Sequence, residues 1–391
     1  MARLRDATHP VLPALDAVAS LSCGDQRSRN RLIEADNVAA LSILAEELRE
    51  QVRCIYIDPP YNTAERWTHF DDRLDHDDWL AGVESSIRAL WPCLADDGSL
   101  WMSIDDGGMH YLKVLADQIV GRSAFVTTIV WEHRTTRENR RTFSNNHEYI
   151  LVYAKDPERF RATRNRVAAT PEMLSRYKNP DRDPRGPWQS VSANVQAGHA
   201  TASQFYELVA PNGRRHVPPK GRCWVYTRER IEERIANGEV WFGRGGNGVP
   251  RLKRFLRDSQ LGATPETLWT ADVAGTTMAA KRHLLSMFPD EEVFDTPKPE
   301  ELIARILTIA SNPGDLILDA YLGSGTTAAV AHKMSRRWVG IEKGPHAVTH
   351  CAERLRRVVE GEPGGISELL GWRGGGGFTF LRESRPERVA A

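Results

Sequence analysis

The chain has 391 residues, of which 41% are hydrophobic and 27% charged, a composition that fits a globular protein of two or three domain-sized units. Five scattered cysteines without a C-x-x-C pair and twelve histidines without ligand spacing exclude a disulfide framework and a structural metal site as expectations. No apolar run approaches the ~20 residues of a membrane span and the N-terminus lacks signal-peptide character, so no membrane contact and a cytoplasmic location are expected.

Residues 1–30 are polar and read as a flexible N-terminal arm. From 31 to 155 the pattern is α/β. A short strand over 31–34, a helix over 37–50 and a strand over 52–57 come first. Apolar residues at helical spacing then cover 77–94 (Trp79, Leu80, Val83, Ile87, Leu90, Leu94), and Asp97-Gly98 turns into a strand over 99–104. Further strands are expected at 126–132 and 148–154.

The texture changes over 156–280, which is rich in Pro, Gly, Arg and Trp and holds 20 Lys and Arg against 13 Asp and Glu. The net charge of the whole chain is zero, so this segment concentrates positive charge that suits phosphates, although a solvated basic surface would read the same way. Its aromatic residues (Trp188, Phe205, Tyr206, Trp224, Tyr226, Trp241, Phe242) suit either base stacking or a small-domain core. One helix is expected, over 227–237, stopped by Gly238. The α/β texture resumes over 281–360, with helices at 300–311, 326–334 and 346–359 and strands at 315–319 and 337–342. Residues 361–391 form a Gly-rich tail with a candidate strand at 378–381. Alternating strands and helices point to a mostly parallel sheet covered on both faces.

Two strand ends carry the chemistry. Asp58-Pro59-Pro60-Tyr61 follows the apolar run Cys54-Ile55-Tyr56-Ile57 and caps its C-terminal end, where ligands bind in open α/β sheets. It gathers a carboxylate, a carbonyl followed by a residue with no N–H, and an aromatic ring, the groups needed to hold a planar base by its exocyclic amine. The same residues also make an ordinary strand-ending turn, because proline fixes φ and pushes its predecessor out of the helical region. The second constellation is Asp319-Ala320-Tyr321-Leu322-Gly323-Ser324-Gly325-Thr326-Thr327, between a strand and a helix, with Glu342 ending the next strand. The glycines permit a tight turn and close approach of a ligand, and Glu342 can accept bonds from both hydroxyls of a ribose. The loop lacks the third glycine of a dinucleotide fingerprint and the G-K-[ST] of a Walker loop, so it suits a nucleoside without a pyrophosphate, such as S-adenosyl-L-methionine.

Taken in order, these motifs resemble the β group of DNA amino-methyltransferases, adenine-specific and most similar to the modification subunits of type III restriction systems. The likeness covers about residues 30–360 and includes Ala35-Asp36-Asn37, Asp58 to Thr63, Phe294-Asp295-Thr296-Pro297-Lys298-Pro299, Asp319 to Thr327 and Gly340-Ile341-Glu342. It implies a Rossmann-like, S-adenosylmethionine-dependent methyltransferase fold, circularly permuted, with an inserted target-recognition domain at 156–280. The catalytic half would be 31–155 and the cofactor half 281–360. Tyr321 stands where the family usually has Phe; the aromatic face is kept.

The resemblance also implies roles. Asp58 and the Pro59 carbonyl would accept the two N–H bonds of an adenine N6 amine, with Pro60 shaping the turn. Tyr61 would stack on the flipped-out base in double-stranded DNA. No covalent intermediate is needed, so no cysteine is asked to be a nucleophile. Asp36, Lys298, Asp319, Tyr321, Gly323, Ser324, Gly325, Thr326 and Glu342 would bind S-adenosyl-L-methionine, with Lys298 serving the methionine carboxylate. Two of these have plainer readings: Asp36 as a helix N-cap and Lys298 as a surface lysine. Rival readings are N4-cytosine methylation, in which Ser more often replaces Asp58, a non-catalytic DNA-binding subunit on the same fold, and a methyltransferase for RNA or protein amides. A homodimer is common in the resembling family. Type III modification subunits are longer than this chain, which points to a stand-alone enzyme rather than one with a restriction subunit.

Overall fold

The computed structural model describes residues 14–63, 72–139, 142–169, 171–258 and 262–384, and they divide into two compact units, one of 1–165 with 265–391 and one of 166–264. The inserted unit is therefore narrower than the 156–280 expected. Helix Pro157–Thr163 packs on strands of the larger unit, as does the segment around strand Leu268–Trp269. The Pro, Gly and Arg texture that marks the insert begins and ends in connections that still belong to the larger unit.

In the larger unit, eleven strands among the described residues form one sheet. In chain order they are β1 (Leu15–Ala17), β2 (Cys23–Gly24), β3 (Arg31–Glu34), β4 (Val52–Ile57), β5 (Leu94–Ile104), β6 (Phe125–Trp131), β7 (Glu148–Ala154), β8 (Leu268–Trp269), β9 (Leu316–Asp319), β10 (Arg337–Glu342) and β11 (Gly377–Glu383). Their order across the sheet is β1-β11-β3-β10-β9-β4-β5-β7-β6-β8, with β2 also paired to β11. From β11 through β5 every neighbour is parallel; β7 then runs antiparallel to both β5 and β6. Two strands from the second half of the chain thus sit between β3 and β4.

All six residues of β4 are buried, as a strand covered on both faces requires. Ile33, Ile55, Ile57, Leu100, Met102, Leu318 and Ile341 share one core with helices α1 (Asn37–Leu48), α2 (His76–Leu90) and α3 (Met109–Val120). The alternate residues Leu32, Cys54, Tyr56, Ile317 and Trp338 are equally buried and point to the opposite face, where helices α4 (Glu300–Ala310) and α5 (Thr326–Lys333) lie.

The C-terminal segment forms the strand expected at 378–381, running over 377–383. The other end corrects an expectation: residues 14–30 are not a free arm, since β1 and β2 pair antiparallel with β11, which itself lies parallel to β3. The edge strand β1 has an exposed or half-exposed surface, so no apolar alternation marks it; its stabilisation comes from backbone pairing with residues at the other end of the chain. Residues 1–13 and 385–391, the outer parts of the expected arm and tail, lie outside the described residues. The helix expected over 346–359 begins as a π-helical turn, Ala347–Ala352, before α6 (Glu353–Glu360).

The smaller unit has its own core of Ala193, Leu208, Ala210, Trp224, Ile231, Val240, Phe242 and Leu252, built on short antiparallel strands and helix Arg228–Ala236. Buried Trp188, Trp224 and Phe242 are core residues, and Arg side chains stand over the rings of Tyr206 and Tyr226. Of the seven aromatics singled out in this stretch, Phe205 is the exposed one, at 52%.

Candidate active site

Parallel strands deliver their carboxyl ends to one edge of the sheet. At that edge Asp58 follows the last residue of β4, and the neighbouring β9 and, beyond it, β10 end on Asp319 and Glu342. A cavity of about 720 Å³ opens there. It is lined by Asp58, Pro59, Pro60 and Tyr61 on one side and by Asp319, Tyr321, Gly323, Ser324, Thr326 and Glu342 on the other, with Lys298 among them. Of the residues expected to bind a cofactor, Asp36 and Gly325 are not part of this lining. Asp36 is the N-cap of α1, accepting from the Val38 and Ala39 amides at 3.1 and 3.3 Å, and its second oxygen meets Lys343 Nζ at 3.0 Å. Gly325 is the N-cap of α5 at φ +82°, a left-handed conformation that glycine adopts at little cost.

The tetrapeptide is held from several sides. Trp79 Nε1 donates to the Pro60 carbonyl at 2.7 Å, and Asn62, at φ +60°, donates its amide to buried Asp72 at 2.6 Å. Among the described residues none donates to the Pro59 carbonyl, so that acceptor is available to a ligand. Lys298 Nζ lies 2.8 Å from Asp58 Oδ2 and 3.5 Å from Glu148 Oε2, and it also stands 5.0 Å above the Tyr61 ring. The Tyr61 hydroxyl is 3.0 Å from Asp58 Oδ1 and 3.0 Å from Glu148 Oε2. Asp58 keeps 24% of its side chain open to the cavity, and burial of the rest pushes its carboxyl above the ordinary value, against the pull of Lys298. Burial alone would lower the Lys298 ammonium; Asp58 and Glu148 outweigh it and hold the ammonium above its ordinary value. Lys298 is thus not a surface lysine, and its ammonium stands among the carboxylates of Asp58 and Glu148 rather than at the loop. Its backbone carbonyl reaches the loop instead, accepting from Thr326 Oγ1 at 3.2 Å.

The second half of the site is a loop shaped by its own carboxylates. Glu342 Oε2 accepts from the Gly323 amide at 2.6 Å, and Glu342 Oε1 meets the Lys343 amide and His346 Nε2, each at 2.9 Å. Asp319 Oδ1 accepts from the Tyr321 amide at 2.9 Å, and burial raises the Asp319 carboxyl to about 7. Gly323 has φ +55°, and a Cβ there would meet the Phe294 ring at 3.4 Å. The hydroxyl that distinguishes Tyr321 from the family's usual Phe is used, since it bonds Ser86 Oγ of α2 at 2.7 Å. The Cys351 thiol donates to the Gly323 carbonyl at 3.0 Å, and burial pushes it far above the range of a reactive thiolate.

Beneath the loop lies a buried charge cluster. Arg354 donates to the Ser324 carbonyl at 3.2 Å and to Thr326 Oγ1 at 2.8 Å, and its other nitrogen reaches Glu300 Oε1 at 2.9 Å. Lys333, wholly buried, bonds both Glu300 and Glu362. His283, Glu300 and Glu362 present ligand atoms within 4.8 Å of one another, but the Lys333 ammonium is bonded to both carboxylates and, with Arg354 on Glu300, neutralises them.

Sequence reasoning missed Glu148, Asp72 and Arg354, and it gave Phe294, quoted within a motif, no part in the site. Glu148 was in view as the first residue of a strand, the wrong end for a ligand site in a parallel sheet. Because β7 is antiparallel to β5, its start lies beside the carboxyl end of β5, with Tyr149 opposite Ile104.

Residues 52–353 match the family model N6_N4_Mtase, described as DNA methylase. Among curated relatives, the chain is 28% identical to a probable type III restriction-modification enzyme HindVI Mod subunit of Haemophilus influenzae, over 90% of this chain and 54% of that protein. It is 29% identical to the type III StyLTI Mod subunit of Salmonella typhimurium, over 78% of this chain and 50% of that protein. It is also 28% identical to the type II methyltransferase M.KpnI of Klebsiella pneumoniae, over 86% of each. The chain spans about half the length of the two Mod subunits it matches.

Proposed function

The chain belongs to the N6_N4_Mtase family of DNA methylases, and on that premise we propose that it transfers a methyl group from S-adenosyl-L-methionine to the N6 amine of an adenine flipped out of duplex DNA. The observation that carries the reading is the single cavity shared by Asp58, with its free neighbouring carbonyl, and the Gly323–Glu342 loop on adjacent strands.

The residues present fit the cofactor. The cavity is of ligand size. Gly323 leaves a gap that a side chain would close against Phe294, and Glu342 offers a carboxylate at a strand end. Glu342 would hold the ribose hydroxyls, with the Gly323, Ser324 and Thr326 segment and Tyr321 around the nucleoside. When bound, the cofactor supplies an electrophilic methyl group on a positively charged sulfur.

The chain's own residues orient the amine. The Asp58 carboxylate and the Pro59 carbonyl accept its two N–H bonds, which leaves the nitrogen lone pair directed away from them. Tyr61 packs on the base plane, a contact worth roughly 1–3 kcal/mol. That offsets part of the few kcal/mol that extruding a base costs. Positioning and preorganised charge are the catalytic effects; no covalent enzyme intermediate is required. The basic unit 166–264 supplies phosphate contacts and target choice, and the likeness to Mod subunits supports a role in DNA modification.

Methylation-sensitive long-read sequencing of DNA from cells expressing the protein tests this. N6-methyladenine at a defined sequence, abolished by Asp58→Ala, is expected. N4-methylcytosine would correct the target base, and an unmodified genome would overturn the reading.

A further inference from the structure

The carboxylate that the tetrapeptide does not contain has a place in the chemistry. One phenolic proton, on Tyr61, stands between two carboxylate oxygens, Asp58 Oδ1 and Glu148 Oε2, each 3.0 Å from the hydroxyl. A hydroxyl donates one hydrogen bond, so one of these two short contacts lacks a hydrogen while both carboxylates are ionised. The charge count points the same way. Asp58 and Glu148 bring two negative charges and Lys298 one positive, and with side-chain exposures of 24%, 15% and 8% they are largely withdrawn from water. One added proton makes the group neutral and supplies the missing hydrogen: a protonated carboxyl then donates to Tyr61 Oη while Tyr61 donates to the other carboxylate.

We propose that Glu148 is the terminal acceptor for the proton released at the adenine amine, reached from Asp58 through the Tyr61 hydroxyl. The inference rests on the amino-methyl transfer proposed above. In that reaction the nitrogen lone pair forms the N–C bond, and the electron pair of the broken C–S bond stays on sulfur. The nitrogen is left with one proton too many. Asp58 Oδ accepts that proton, Asp58 passes a proton to Tyr61 Oη, and Tyr61 gives its own to Glu148 Oε2. The phenol is unchanged at the end, and Asp58 is again an acceptor. Glu148 Oε1 faces His133 Nδ1 on the cavity wall at 3.6 Å, beyond hydrogen-bond reach, so the path ends at Glu148. Tyr56, Asp105 and Asp319 are the other titratable groups whose charge bears on these carboxylates.

The placement explains why an acidic residue opens an otherwise apolar strand. Glu148 begins β7, whose following residues Ile150 to Ala154 are all buried. Glu148 acts through Tyr61, so it is a positioning and proton-holding residue rather than one that touches the amine.

Two measurements test the proposal. In cofactor-free protein with ¹³C-labelled carboxyls, NMR titration should show one carboxyl group titrating above the ordinary carboxylate range. In Glu148→Gln the surviving Asp58 should move down toward that range. In single-turnover methylation at saturating DNA and cofactor, Glu148→Gln should shift the acid limb of the pH profile to lower pH, and Glu148→Gln and Tyr61→Phe should each lower the plateau about tenfold. Cofactor affinity should be unchanged in Glu148→Gln. Titration of Asp58 at the same pH in wild type and Glu148→Gln, or an acid limb unmoved in Glu148→Gln while the wild type methylates, overturns the relay alone. A wild type that methylates no adenine overturns the underlying reading as well.

Discussion

Lys298 Nζ and Asp58 Oδ2 meet at 2.8 Å although 240 residues separate them in the chain. The contact joins the segment before α4 to the end of β4, and it puts a cation between two carboxylates that would otherwise repel each other. Lys298→Met should lower methylation at least ~100-fold and destabilise the protein by about 3–5 kcal/mol, the cost of leaving buried charge without its partner. Lys298→Arg should recover part of both. Single-turnover kinetics and urea unfolding would measure these effects, and a Lys298→Met protein of normal rate would show that Asp58 does not depend on the ammonium.

Asp319 sets a pH dependence of stability. Its folded carboxyl titrates at about 7 because of burial, above the ordinary value of ~3.9. Between those values the folded protein holds a proton that the unfolded chain releases. Stability contributed by this group is therefore full below about pH 4 and falls as pH rises toward 7. Asp319→Asn should flatten that decline by an amount on the order of a few kcal/mol. Denaturant midpoints from acid to neutral pH, compared between wild type and variant, would reveal equal slopes if the carboxyl titrates normally.

Gly323→Ala should cost on the order of 1 kcal/mol in stability, because φ +55° strains an alanine. It should weaken cofactor binding about tenfold, since the new methyl group meets Phe294 at the mouth of the loop. Calorimetric titration with S-adenosyl-L-methionine reads this directly, and wild-type affinity would mean the loop is not approached closely there.

Arg354→Met should destabilise by about 3–5 kcal/mol, because Glu300 loses one of its two buried cations and the Ser324 carbonyl and Thr326 hydroxyl lose a donor. Glu300 is held below its ordinary carboxylate value: burial opposes ionisation, and Arg354 and Lys333 outweigh it. The variant should also bind the cofactor more weakly. Full affinity in a folded Arg354→Met protein would show that the loop keeps its shape without this support.

In the smaller unit, Trp224→Ala should cost about 3–5 kcal/mol as a core truncation, and Phe205→Ala less than ~0.5 kcal/mol. Phe205→Ala should nonetheless weaken DNA binding by a few fold if its exposed ring stacks on a base. Gel-shift titration beside thermal unfolding separates the two effects.

Much of the site was legible because its physics is local. Apolar runs of strand length followed by Asp58-Pro59-Pro60-Tyr61, or by a tight glycine turn and a helix, need only neighbouring residues to be recognised. The same holds for Asp36, whose N-capping depends on two amides close by in the chain. Lys298 was singled out by its motif, yet the partner of its ammonium could not be read there, because that partner lies on another strand.

What the sequence determined by itself was the kind and order of the strands β3 to β7 and β9 to β11 with helices α1, α2, α4 and α5 among them, and the two strand ends of the candidate site, since hydrophobic periodicity and the backbone limits of proline and glycine act over a few residues. Only the tertiary structure decided which residues share the cavity. An antiparallel β7 brings Glu148 to the carboxyl edge, and pairing of β1 and β2 with β11 turns an apparent arm into sheet. The physical reason is common to both. Strand direction and backbone pairing are settled by hydrogen bonds between distant segments, and those bonds leave little mark on the composition of either one.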